Sequence, residues 1–277
     1  MSFKDTPVTG FAEARRDVAG SGDLSRYRTV AVSPHFDDVA LSVAGLIARS
    51  PGPVALVTVH GGSPPRGSRP STWDLDCGFV SAAEAHQKRV AEDALACELL
   101  GADQIALPNA DGPYRDGDHL QLLDELLLAL PAGVDLYLPM GINQPDHLKV
   151  RDQALAALSY RRDVLPLLYA DLPYAGVVPG WGTGEGAAAL ARDPVAGQAL
   201  RNFALENDLR LVRELVVSDA RWLAKRNAVL CYASQLSVVA AMDELAGAGP
   251  LLGPNGPLRH ELVWQVAASN TEREPAE

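Results

Sequence analysis

Thr29-Val30-Ala31-Val32-Ser33-Pro34-His35-Phe36-Asp37-Asp38 reads as a strand that runs straight into a polar cluster. The β-branched, apolar run is of strand type, and Pro34 stops it because proline has no backbone N–H for a sheet ladder. An imidazole and two carboxylates follow at once. Residues 39–48 come next, and their length and apolar content suit a buried helix. The cluster therefore lies at the C-terminal end of a strand, where open α/β sheets build their sites, because loops converge there and helix N-termini supply a positive field.

On its own, an Asp in front of a helix is a cap, and a histidine beside it a loop residue. A cap uses one carboxylate and has no need of the imidazole, and the layout recurs. Residues 135–140 read as a second short buried strand, 141–145 as turn chemistry, and Asp146-His147 opens a helix over 148–158. Two of the six histidines thus occupy matching strand-to-helix junctions. Residues 54–59 form another buried strand, and strand, helix and strand within about 30 residues is the signature of a parallel sheet. No G-x-G-x-x-G follows the first strand, which argues against a dinucleotide role.

These residues resemble the LmbE-like, or PIG-L-type, zinc-dependent N-deacetylases, which remove an acyl group from an amino sugar in a glycoconjugate. The family's Pro-His-Pro-Asp-Asp stands here as Pro34-His35-Phe36-Asp37-Asp38, with Phe36 in place of the second proline. Its His-Pro-Asp-His stands as Gln144-Pro145-Asp146-His147, with Gln144 in place of the first histidine. Arg89-Val90-Ala91-Glu92-Asp93, Asp111-Gly112, Pro173-Tyr174 and Tyr232-Ala233-Ser234-Gln235 echo the family in the same order, so the resemblance runs over residues 29–235. It implies a Rossmann-like, three-layer α/β fold with a mostly parallel sheet and the active site at the C-terminal ends of the strands. It also implies a zinc cofactor, an N-acyl amino sugar or glycoconjugate as substrate, and substrate contacts from Arg89, Asp111 and Asp146.

Two imidazoles and one carboxylate with a fourth position open make a catalytic zinc site. His35, Asp38 and His147 are assigned as the ligands. Asp37 is the expected general base, since successive side chains at a helix start diverge by roughly 100° and one carboxylate faces the substrate while the other binds metal. Gln144 is expected to act as a neutral hydrogen-bond donor to the intermediate, because an amide donates but does not titrate. The same ligand trio fits a non-haem iron oxygenase, which leaves Asp37 and the parallel-sheet context unexplained. An amidase acting on a larger acylated conjugate, and a metal-free binding protein on a degenerate hydrolase scaffold, complete the alternatives; the second rests on the departures at Phe36 and Gln144.

A length of 277 residues, 47% hydrophobic and 21% charged, fits one globular α/β domain over 1–277. Residues 1–28 read as an N-terminal wrap with a short helix near 11–18, and 268–277 as a frayed tail. A net charge of -11 argues against nucleic acid or an anionic membrane as partner. Three cysteines without a C-x-x-C pair fit a reducing compartment, and no apolar run reaches the ~18 residues of a membrane span, which together point to the cytoplasm. A homo-oligomer is compatible with the sequence.

Along the chain, residues 60–79 read as a lid or binding loop rich in Gly, Pro and Ser, with His60 an ordinary loop histidine. Residues 82–100 read as a helix ending at Gly101, on which the spacing of Arg89, Glu92 and Asp93 is that of a solvated face. Residues 105–107 form a strand, 120–130 a helix, 164–170 a strand and 176–186 a glycine-rich irregular segment. A late strand over 209–217 and one helix over 219–236 follow.

Overall fold

A computed structural model describes residues 23–115, 117–246 and 250–267. The expected helix near 11–18 and the tail 268–277 fall outside the described residues.

The apolar runs form strands β1 (Thr29–Ser33), β2 (Val54–Thr58), β4 (Asp135–Pro139) and β5 (Pro166–Tyr169), and β3 (Ala102–Ala106) lies at one edge. These five pair in parallel, for example Val30 with both Ala55 and Leu136. Strands β6 (Leu209–Val216) and β7 (His260–Val266) add an antiparallel flank, giving the order β3-β2-β1-β4-β5-β7-β6. The central strands are buried on both faces, so the two-residue period divides their side chains between two cores. Val30, Val32, Leu136 and Leu138 face a core that includes Leu123, Leu126, Val150 and Ala154. Ala31, Leu56 and Tyr137 face the other, with Val39, Val43, Leu46 and Ile47. Helices α1 (Asp38–Ile47), α4 (Leu123–Leu128) and α5 (Pro145–Ala157) thereby cover the sheet from both sides, the three-layer arrangement expected.

Strand order reverses between β1 and β4. From β1 the chain steps outward through β2 to β3, then returns to lay β4 on the opposite side of β1. The loops after β1 and β4 consequently diverge and leave a crevice at their C-terminal ends, the topological switch point where α/β folds bind ligands. His35 and His147 follow those two strands.

Several local expectations are corrected. Residues 60–79 contain a short helix, α2 (Thr72–Asp76), with a capping box in which Ser71 and Asp74 bond each other's backbone N–H. The expected helix 120–130 is limited to α4, whose preceding residue Leu122 has a left-handed φ of 63°. The expected helix 219–236 is two, α8 (Asp219–Cys231) and α9 (Ala233–Ala246), separated where Tyr232 leaves helical geometry. Helix α3 (Ala82–Leu100) ends at left-handed Gly101 as expected, but Arg89, Glu92 and Asp93 are buried against other elements. Glu92 accepts from Ser234, and Asp93 from Tyr232 and Gln104. Helices α6 (Gly186–Arg192) and α7 (Gln198–Glu206) and strand β7 have no counterpart in the sequence reading. Among the described residues no helix is long and apolar enough to cross a membrane.

Candidate metal centre and active site

The two junctions meet at one oxygen. Asp38 opens α1, and its Oδ2 accepts a hydrogen bond from the His35 backbone N–H at 2.7 Å, which folds the Pro34–Asp38 turn back on itself. That oxygen lies 3.3 Å from His35 Nδ1 and 3.2 Å from His147 Nε2. His147 reaches it because Gly141, at φ +88°, turns the chain directly under Leu148, where a Cβ would come within 2.7 Å of that side chain. Pro145 then occupies the first turn of α5, a position that needs no N–H.

Charge follows burial and pairing. Burial would raise the Asp38 carboxyl, but His147 and His35 beside it hold it well below the usual carboxylate range. Burial, reinforced by the Asp38 charge, pushes its neighbour Asp37 the other way, up to about 6. For His147 burial works downward, and the Asp38 and Asp171 carboxylates outweigh it to raise the imidazole to about 9.

Each imidazole has a carboxylate behind it. His147 Nδ1 lies 2.7 Å from Asp171 Oδ1, at the end of β5, while Asp171 Oδ2 accepts from the backbone N–H groups of Gly141 and Ile142. Asp171 thus ties the ends of β4 and β5 to the first turn of α5 and aims His147 Nε2 into the gap. His35 Nε2 lies 3.3 Å from Asp111 Oδ1 and 3.7 Å from Asp146 Oδ2, and Arg115 holds the other Asp146 oxygen at 2.5 Å.

His147 Nε2 is fully buried and has no hydrogen-bond partner among the described residues. An orphaned imidazole nitrogen facing a carboxylate oxygen and a second imidazole is what a metal ion would satisfy. The three ligand atoms lie within 4.8 Å of one another, and the two contacts at 3.2 and 3.3 Å match the roughly 3.3 Å between ligand atoms held 2.0–2.1 Å from a tetrahedral zinc. The residues fit the metal. His35, Asp111 and Asp146 make a second candidate group. We read that group as the carboxylate partners of His35, because ligating histidines generally present their other nitrogen to a carboxylate and Asp146 already pairs with Arg115.

Asp37, Arg89, Asp111, Gln144 and Asp146 all line a cavity of about 230 Å³ beside this centre. Arg89 stands in its wall, paired with Asp74 Oδ1 at 2.7 Å. Asp74 is in turn held by Ser71 N–H and the Tyr114 hydroxyl, so α2 docks the 60–79 loop onto Arg89. Gln144 is the N-cap of α5, its Oε1 accepting from Asp146 N–H at 3.2 Å, and the residue lines the cavity. Phe36 is 4% exposed and lines the same space.

Sequence reasoning did not pick out Asp171 or Arg115, and set His60 aside. Asp171 and His60 carry the signal that marked His35 and His147, a polar residue directly after a strand. For isolated residues that signal is weak.

A crevice at a switch point, lined by two carboxylate-backed imidazoles, a shared carboxylate and a spare one, defines a class of α/β protein with a candidate metal centre. Within that class, residues 30–158 match the family model described as PIG-L, GlcNAc-PI de-N-acetylase. The 2'-N-acetylparomamine deacetylase of Streptomyces fradiae is 32% identical over 180 residues, which cover 55% of this chain; the chain spans 60% of the length of that curated relative. The crystal structure of the antimicrobial reagent A40926 pseudoaglycone deacetylase Dbv21 superposes with a TM-score of 0.62 at 26% identity, over 91% of this chain and 100% of that one. A deacetylase–bog complex from the biosynthesis pathway of teicoplanin shares the fold, with a TM-score of 0.65 at 23% identity over 88% of this chain and 99% of that one.

Proposed function

We propose that this chain, folded as one domain, is a zinc-dependent N-deacetylase that hydrolyses the acetamide of an N-acetylated amino sugar, free or at the end of a glycoconjugate. The observation that carries the reading is the pairing of two adjacent carboxylates with opposite character. Asp38 is held ionised between two imidazoles, and Asp37 is left out of that cluster with a carboxyl raised to about 6. That is the division between a metal ligand and a general base working near neutral pH.

A zinc ion held by His35, Asp38 and His147 would supply a water of lowered pKa and a Lewis acid for the acyl oxygen. Asp37 removes a proton from the attacking water as its oxygen adds to the acyl carbon. The Gln144 amide N–H donates to the developing oxyanion. Asp37 then returns the proton to the sugar nitrogen as the C–N bond breaks, and acetate and a free amine leave. Arg89, Asp111 and Asp146 border the sugar. A cavity of about 230 Å³ is below the ~300–1,000 Å³ of sites that enclose a whole drug-sized ligand, which suits the acylamino end of one sugar with the remainder outside. The similarity to a 2'-N-acetylparomamine deacetylase and to the A40926 pseudoaglycone deacetylase supports this substrate class. Three cysteines free of disulfides support a cytoplasmic setting.

The test is a panel of N-acetyl amino sugars, including 2'-N-acetylparomamine, assayed for acetate and amine release by zinc-loaded protein. Release from at least one member is expected. Absence of release across simple sugars, aminoglycosides and glycopeptides alike would remove the reading.

A further inference from the structure

Three imidazoles stand in a row that runs from the buried His147 to the cavity wall. His147 and His35 have ring centroids 5.3 Å apart, and His35 and His60 are stacked at 5.4 Å. The first two belong to the candidate metal centre. His60, directly after β2, lies outside the three-ligand group and has no part in the mechanism above.

Its environment is specific. His60 is 3% exposed and lines the same cavity as Asp37 and Asp111. Its Nδ1 lies 3.0 Å from the Ala110 carbonyl oxygen, a group that only accepts, so Nδ1 carries the proton and the tautomer is fixed. Nε2 is then a lone-pair acceptor, and it is buried with no hydrogen-bond partner among the described residues. Buried polar atoms almost always have a partner. His60 lines the cavity, so a ligand that fills it can supply the missing donor.

The surrounding chemistry says what fills it. Asp111, next to the carbonyl that anchors His60, and Asp146 line the same wall, so its polar groups beside His35 are acceptors. An acetamide offers an acceptor oxygen and one N–H; the other donors of an amino sugar are its hydroxyl and free amino groups. We propose that His60 Nε2 is a substrate-binding acceptor that takes an O–H or N–H of the sugar flanking the acylated nitrogen, and thereby selects substrates carrying that donor. The inference rests on the amino-sugar reading of the site.

The test uses zinc-loaded full-length protein at pH 8, with binding of 2'-N-acetylparomamine and of paromamine followed by calorimetry alongside acetate release. His60→Asn keeps a donor for the Ala110 carbonyl and withdraws the acceptor from the Nε2 position; His60→Gln returns an amide oxygen to that position. His60→Asn should weaken binding of both sugars roughly tenfold to a hundredfold, with the kinetic loss chiefly in KM and with full zinc content, and His60→Gln should recover most of it. An analogue lacking the recognised hydroxyl should lose the same factor on wild type and nothing more on His60→Asn; if every single hydroxyl removal still costs His60→Asn its own factor, the donor is a free amine. Wild-type affinity in His60→Asn, or loss of zinc from it, overturns the inference. Binding that follows this pattern without acetate release sustains the acceptor and defeats the deacetylase reading, whereas acetate release indifferent to His60→Asn does the reverse. A wild-type chain that neither binds nor hydrolyses these sugars overturns both.

Discussion

Asp37 and Asp38 are identical in chemistry and adjacent in sequence, yet one bond of backbone separates two electrostatic environments. Asp38 sits between two imidazoles, and Asp37 lines the cavity, where burial and the Asp38 charge raise its carboxyl against the opposing pull of His35 and Arg89. Asp37→Asn should therefore retain stoichiometric zinc and lose on the order of 10² to 10⁴ in kcat, as loss of a general base does; metal analysis and steady-state kinetics on the same preparation check both halves. Asp171→Asn keeps the shape but weakens the acceptor that orients His147, so zinc affinity should fall roughly tenfold to a hundredfold in competition with a chelator. The motif residues were legible because they are contiguous and each cluster repeats the other. Asp171 and His60 were not, since a lone polar residue after a strand acquires meaning only when the sheet sets its strand end beside another.

Among the elements, α5 and α1 carry the site. Gln144 caps α5 with its oxygen, and the proposed donor role falls to its N–H₂, so one isosteric change separates the two. Gln144→Glu retains the capping oxygen, at the positive end of a helix, and loses the donor. Thermal stability should hold while kcat falls by roughly tenfold to a thousandfold; wild-type turnover would make Gln144 a cap and nothing more. Helix α1 departs from helical geometry at Val43, with φ −136°. The Glu261 carboxylate from β7 accepts from Gly45 N–H and Leu46 N–H, both at 2.8 Å, and pairs with buried Lys225 Nζ at 2.6 Å. That carboxylate serves as an internal cap for the second half of the helix that starts at Asp38. Glu261→Gln should cost about 3–5 kcal/mol in urea unfolding, because it leaves the Lys225 charge buried and unpaired. Adding Lys225→Met should return most of the loss. Central strands and α3 were readable from apolar runs and a glycine stop. Strand β7 was not, because a buried glutamate interrupts its apolar pattern and its partners are 36 and 215 or 216 residues away.

For the molecule as a whole, stability should carry the mark of Asp93. This carboxyl is fully buried, and burial raises it from 3.8 to about 7 despite hydrogen bonds from Tyr232 and Gln104. The folded state holds that proton more tightly than the unfolded chain, so the associated stability is complete below about pH 4 and is lost as pH rises through about 7. Asp93→Asn should flatten this part of the stability profile and be relatively more stable at pH 8 than wild type; an unchanged slope between pH 4 and 8 would place the proton elsewhere. At this scale the parallel half of the sheet and the switch point followed from two strand-to-helix junctions, while the antiparallel flank and α6 and α7 were set by tertiary packing that no local pattern records. The central claim is that one metal ion, held by the ends of β1 and β4, makes the cavity a site of amide hydrolysis. It is tested most directly by stripping the metal and following acetate release from an N-acetyl amino sugar as zinc is returned. Activity should be absent from the stripped protein, rise in proportion to zinc and level off at one equivalent per chain; hydrolysis that survives complete removal, or that zinc does not restore, would contradict the account.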